Sequence, residues 1–149
     1  MEINGTVYDI LHSKGGEIWT TTPEATVYEA IRLMGEKNIG ALIAIKDEEV
    51  AGVLSERDYS RKVALKGRTS RDTKVGEILS SPAITVCSKD GIEKCMQLMT
   101  CNRIRHLPVI DEGRLVGLIS MGDLVNWAMN SQQQTIAQLH GYISGDYPG

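Results

Sequence analysis

Cysteine and histidine are scarce in this chain. Of its 149 residues only three are cysteines, Cys87, Cys95 and Cys101, with no CxxC pair, and its three histidines, His12, His106 and His140, stand far apart. Such spacing builds neither a zinc scaffold nor a disulfide framework, so no metal ligand is assigned and the thiols are expected to be small apolar side chains in a reducing compartment. Long apolar runs are missing too, and nothing approaches the ~20 residues of a membrane span. Met1-Glu2-Ile3-Asn4-Gly5 has neither the basic nor the apolar region of an export signal. The expectation is a soluble, unexported, cytoplasmic protein without a membrane partner. Aromatics reach only 5%, and 16 Lys+Arg against 19 Asp+Glu leave a formal charge of −3, which disfavours nucleic acid as a partner of the whole surface. No P-loop string occurs, nor any spacing that pairs a nucleophile with a base, so no catalytic residue is assigned and the chain is read as a non-enzyme.

What is present is an ordinary globular composition, 42% hydrophobic and 23% charged, at a length that suits one domain or two very small ones. The chain repeats itself. Sliding it by 65 positions lays Thr20–Ala64 on Thr85–Met129 without a gap, with nine identities among 45 pairs, including Gly52/Gly117, Ser55/Ser120 and Asp58/Asp123. An upstream piece recurs at an offset of 68, Val7-Tyr8-Asp9-Ile10-Leu11 against Val75-Gly76-Glu77-Ile78-Leu79, so each half reads as a complete unit. The expected organisation is a first repeat over 1–65, a polar linker over 66–74, a second repeat over 75–130, and a last helix and tail over 131–149, with Gly141–Gly149 loosely held.

Within a unit, apolar residues at three- and four-residue steps (Val27, Ala30, Ile31, Met34; Ile92, Cys95, Met96, Met99) predict helices, preceded by Pro23-Glu24 and Ser88-Lys89-Asp90 as start signals. Gly40–Ile45 with Val50–Leu54, and His106–Ile110 with Leu115–Ile119, predict two hairpins, and closing helices begin at Glu56 and Gly122. Each unit thus reads helix, short strand, helix, two strands, helix, and the short strand completes a three-stranded sheet per half. Neither half can bury its strand face alone, so the two sheets are expected to pack against each other.

Both strand-to-helix junctions, Gly52-Val53-Leu54-Ser55-Glu56-Arg57-Asp58 and Gly117-Leu118-Ile119-Ser120-Met121-Gly122-Asp123, have the form Gly-x-x-Ser-x-x-Asp. A serine hydroxyl and free N–H groups at a helix start can hold a phosphate, and an aspartate one turn on can accept two ribose hydroxyls. The same residues can equally be a plain helix cap, with serine as N-cap and aspartate bonded to N-terminal amides. From Glu56 to Lys74 stand seven basic and three acidic residues, a stretch that suits either an anion site or a solvated face.

These junctions, the tandem unit, and Arg105-His106-Leu107-Pro108-Val109-Ile110-Asp111 together resemble the paired cystathionine β-synthase (CBS) domain module, or Bateman module, over about Val7 to Met129. The junction Ser55-Glu56-Arg57-Asp58-Tyr59 is similar to that of stand-alone bacterial two-domain proteins. The resemblance implies an α/β (α+β) fold of two βαββα repeats about a pseudo-twofold, with two clefts that bind AMP, ADP, ATP, NAD, NADH or S-adenosylmethionine. Carried over, the first cleft would use Asp58 for ribose, Ser55 and Arg57 for phosphate, Ala83, Ile84 and Thr85 as an adenine wall, and Arg105 and His106 from the second half, with Arg61 and Lys62 enlarging the positive pocket. The second would use Ser120 and Asp123, with Ile18, Trp19 and Thr20 as its wall and Gly40 and Ala41 in the places of Arg105 and His106. Lacking those cations, it is expected to be the weaker cleft. Trp19 suits base stacking and plain packing equally. The implied function is a non-catalytic sensor, paired as a homodimer and signalling to a separate effector protein. Its rivals are a structural dimerisation module with empty clefts, and nucleic-acid binding through the Arg57–Lys74 stretch.

Overall fold

A computed structural model describes residues 3–130, so the expected last helix and tail over 131–149 lie outside the described residues. The elements are α1 (Val7–Lys14), β1 (Thr20–Thr21), α2 (Val27–Lys37), β2 (Ala41–Lys46), β3 (Glu49–Ser55), α3 (Glu56–Tyr59), α4 (Ile92–Asn102), β4 (His106–Asp111) and β5 (Arg114–Ser120), and residues 121–130 form a further helix, α5. A π-helical turn, Ser60–Ala64, continues α3, and a 3-10 turn, Val75–Glu77, opens the second repeat. Among the described residues no helix is long and apolar enough to cross a membrane.

Each hairpin closes where polar residues allow two positive φ angles in succession, Asp47 and Glu48 in the first, Glu112 and Gly113 in the second. The pairings match to the residue. Ala44 lies opposite Gly52 and Val109 opposite Gly117, and each pairing then shifts by one, with a bulge between Ala44 and Ile45 and between Val109 and Ile110. The helix starts fall later than Pro23-Glu24 and Ser88-Lys89-Asp90 suggest: Thr26 caps α2 in a capping box with Glu29, and Gly91 precedes α4 without a side-chain cap.

One expected strand is largely missing. β1 pairs with β2 in parallel to give the order β1-β2-β3, but its counterpart in the second repeat shrinks to a single bridge between Val86 and Val109. Val86 donates to Pro108 O (3.0 Å) and accepts from Ile110 N (2.8 Å); the next bond of a parallel ladder would need an N–H at residue 108, where proline has none.

The central strands are buried on both faces. Leu42 and Ala44 of β2 face their own repeat's core, while Ala41 and Ile43, equally buried, point the other way. In β4, Leu107 and Val109 face the core and Pro108 is buried opposite. Only the other sheet can cover those second faces, so the two sheets pack face to face.

The cores themselves are exchanged between the repeats. Val7 and Ile10 of α1 belong to the core of the second repeat, with Ile92, Cys95, Met99, Leu107 and Ile119. Val75 and Ile78 belong to that of the first, with Val27, Met34, Leu42 and Leu54. The backbone bonds obey a pseudo-twofold: Val7 N and Tyr8 N donate to Asp90 O and Ser88 O, as Val75 N and Gly76 N donate to Ala25 O and Pro23 O, all at 2.8–2.9 Å. Each half is therefore not the complete unit that the repeat suggests.

The repeated glycine has its explanation here. A Cβ on Gly117 would stand 2.6 Å from Leu11 Cδ2, and one on Gly52 would stand 2.7 Å from Ser80 O and 3.3 Å from Leu79 Cβ. Leu11 and Leu79 are the matching ends of the exchanged segments, and the glycines leave the notches that admit them. The stretch over 66–74 is no free tether either. Thr73 is buried with its hydroxyl bonded to Thr69 O (2.7 Å), Tyr28 N donates to Ser70 O (2.9 Å), and Arg71 lies over the Tyr28 ring.

A methyl group in either notch is expected to lower stability by about 1–3 kcal/mol. Gly52→Ala, which strikes backbone, should cost more than Gly117→Ala, which meets the movable tip of Leu11. Urea melts of the two variants give the comparison, and equal or negligible losses would show the notches to be unimportant.

Candidate functional site

β3 and β5 each end in a serine whose hydroxyl closes the first turn of the following helix. At the first junction the Ser55 N–H and hydroxyl both donate to Asp58 Oδ2 (2.9 and 3.0 Å), and Asp58 N donates back to Ser55 Oγ (3.2 Å). At the second, Ser120 N donates to Asp123 Oδ2 (2.8 Å) and Asp123 N to Ser120 Oγ (3.1 Å). Both aspartates are capping residues in this state. Each aspartate is engaged beyond its cap. Asp58 Oδ1 faces Lys62 Nζ and the Ser80 hydroxyl, each at 3.3 Å, while Lys14 Nζ stands 2.8 Å from Asp123 Oδ2.

The first junction opens into a cavity of about 980 Å³ between the repeats. Ser55, Arg57, Asp58, Arg61 and Lys62 enter it from β3, α3 and the π turn, Ala83 and Ile84 from the segment before α4, and Arg105 and His106 from the start of β4. Thr85 does not join them and lines a smaller cavity of about 360 Å³ beside the hairpin turns. Gly40 and Ser120 line the large cavity too, so residues assigned by sequence to separate clefts meet in one space. Ile18, Trp19, Thr20, Ala41 and Asp123 do not line it. Trp19 packs against the first repeat's core with Lys37 Nζ 4.2 Å from its ring centre.

Five permanent cations, Arg57, Arg61, Lys62, Arg103 and Arg105, line the cavity against two carboxylates, Glu56 and Asp58. The other basic residues of the 56–74 stretch that are engaged serve the fold, with Arg68 paired to Glu77 (2.7 Å) and Arg71 on Tyr28. Two site cations escape a reading of motif spacing. Arg103 sits at the left-handed residue that ends α4, and its carbonyl accepts from Arg57 Nη1 at 3.4 Å. Lys14 reaches Asp123 across 109 positions because α1 packs on the second repeat, so the second cleft is not without a cation. Comparing Asn38 with Arg103 at the 65-residue offset would have flagged the former; nothing local flags the latter.

His106 stands between the two junctions, 3.8 Å from where a Cβ on Gly40 would lie. Burial pushes its pKa below 6.5, the Asp123 charge opposes that shift, Lys14 and Arg105 reinforce it, and Asp58 opposes it. The neutral imidazole, which accepts one hydrogen bond and donates another, is thus favoured. Among the described residues no group of three or more His, Cys, Asp or Glu side chains is placed to hold a metal ion.

A family model for the CBS domain matches residues 7–65 and again 75–130. The chain is 40% identical over 152 residues to the mitochondrial CBS domain-containing protein CBSX3 of Arabidopsis thaliana, covering 95% of this chain and 73% of that protein. The solved structure of a CBS-domain protein of Burkholderia ambifaria superposes with a TM-score of 0.78 at 48% identity, over 81% of this chain and 91% of that one. The CBS domain pair of protein MJ0100, solved in complex with 5′-methylthioadenosine and S-adenosyl-L-methionine, shares the fold at 21% identity, with a TM-score of 0.72 over 82% of this chain and 94% of its own.

Because the folded chain resists protonating His106 and the unfolded chain does not, stability should be full above pH 6.5 and fall as the pH drops through the window below it. Denaturant melts at pH 7.5 and 5.5 are expected to differ less for His106→Gln than for the parent protein. An unchanged pH dependence in the variant would remove His106 from this account.

Proposed function

The chain belongs to the CBS-domain family, and from that premise we propose that it is a non-catalytic regulatory module that binds an adenine nucleotide between its repeats and passes the signal to a separate protein. The observation that carries this reading is the cavity of about 980 Å³, where the Asp58 carboxylate, the Ser55 hydroxyl and a set of arginines converge from both repeats. That volume lies in the upper range of small-ligand sites. Asp58 Oδ1, held only by Lys62 and a long bond from Ser80, is the acceptor edge open to exchange for ribose hydroxyls. Arg57 and Arg105 offer paired donors to phosphate, and Ala83 and Ile84 offer an apolar wall to a base. The adenosine-containing ligands of the MJ0100 pair are of the same chemical kind.

A ligand that touches both repeats binds one relative arrangement better than another, and that difference is the free energy available for signalling. We take a homodimer as the working unit. Exposed Tyr8 on α1 and Val125 and Met129 on α5 supply apolar surface for pairing. The cleft around Asp123 is the weaker one, since Gly40 and Ala41 stand there in the places of Arg105 and His106.

Calorimetric titration with AMP, ADP, ATP, NAD, NADH and S-adenosylmethionine, on protein stripped of carried-over ligand, tests the reading. Binding of at least one supports a nucleotide sensor, whereas folded, empty protein that binds none is a structural dimerisation module. Asp58→Ala should weaken adenosine and AMP alike by about tenfold, after allowing about 1 kcal/mol of stability for the lost cap. Arg105→Ala should weaken AMP far more than adenosine. Equal losses would place Arg105 outside the phosphate site.

A further inference from the structure

The charge of the cavity says more than that an anion binds there. We propose that the site is built for a nucleotide with more than one phosphate, and that Arg103 is the residue that selects it. The proposal rests on the adenine-nucleotide reading and narrows the ligand class.

Charge balance is the first observation. The cations lining the cavity exceed its carboxylates by three, and Asp58, one of those carboxylates, is already saturated on one oxygen by its own helix cap. A single phosphate brings about two negative charges at neutral pH, which leaves the surplus only partly matched. A diphosphate, a triphosphate or the pyrophosphate of a dinucleotide spreads its charge over a length that several guanidinium groups can share. Among the described residues Arg57, Arg61, Arg103 and Arg105 enter no ion pair.

The second observation is the backbone of Arg103. It closes α4 at φ 54°, in the left-handed region, and its counterpart Asn38 closes α2 at φ 53°. Asparagine is enriched in that conformation and arginine is not. The second repeat thus keeps an arginine where the first carries the residue that the turn prefers. A cation does help at the C-terminal end of α4, whose last turn has no basic residue. One lysine anywhere on that turn would serve, however, whereas this arginine stands in the cavity lining with Arg57, which crosses from the first repeat to bond the backbone carbonyl of Arg103. Its place in one cavity lining with Arg57, Arg61 and Arg105, none of them in an ion pair among the described residues, is what assigns it to binding.

Wild-type protein and Arg103→Asn, titrated with AMP, ADP and ATP, decide the matter. The wild type is expected to hold ADP or ATP at least tenfold tighter than AMP. The variant should lose about tenfold for ADP and ATP and less than twofold for AMP, with a melting temperature no lower than the parent's because asparagine suits the turn. Equal affinity of the wild type for the three nucleotides, or equal losses in the variant, would overturn the proposal while leaving the adenine-nucleotide reading in place. A wild type that binds none of the three overturns the proposal, and one that binds no NAD, NADH or S-adenosylmethionine either overturns both.

Discussion

Everything else in this molecule depends on the trade of two short segments. The residues from Val7 to Leu11 complete the core of the second repeat, and those from Val75 to Leu79 complete that of the first, each fastened by a matching pair of backbone hydrogen bonds. Because each core contains residues of both repeats, neither can unfold without opening the other, and the face-to-face sheets are held in one register. The cleft inherits that rigidity. Its serine–aspartate junctions lie at the ends of β3 and β5, three residues after the glycines that receive the traded leucines.

Function enters where the symmetry fails. Gly40 and Ala41 face Arg105 and His106 at equivalent places, Asn38 faces Arg103, and Met121 and Gly122 face Glu56 and Arg57. The framework positions, Gly52/Gly117 and Ser55/Ser120 among them, are kept alike because both halves need the same notch and the same cap. The pseudo-twofold thus supplies two similar walls, and the substitutions on one of them gather positive charge on a single side. Pro108 belongs to the same asymmetry, since it removes a ladder donor and reduces the second repeat's leading strand to one bridge.

Much of this was legible in the sequence because strands and amphipathic helices have local signatures. The two hairpins fall within a residue or so of their expected ends, since alternation and turn residues act over short spans. Asp58, Arg57, Arg61, Lys62, Arg105 and His106, named from the motif, line one cavity. What sequence could not give is long-range. Periodicity says that Val7 and Ile10 are buried and not in which core, so the exchange stayed hidden, and with it the approach of Lys14 to Asp123. The glycines were legible as part of a motif but not as notches, because their partners lie 28 and 106 residues away at Ser80 and Leu11.

The segment trade also says what a single repeat would do if cut free. Alone, it would carry a leading segment with no seat and a seat with no segment, and two identical fragments could satisfy each other only by swapping those segments between chains. That swapped pair has the architecture of the present chain. Joining the two fragments through the stretch over 66–74 turns a concentration-dependent association into an intramolecular one, at the effective concentration a short connection provides. Duplication and fusion of one half-sized ancestor would thus yield this fold in a single step, after which each copy of the cleft wall was free to diverge.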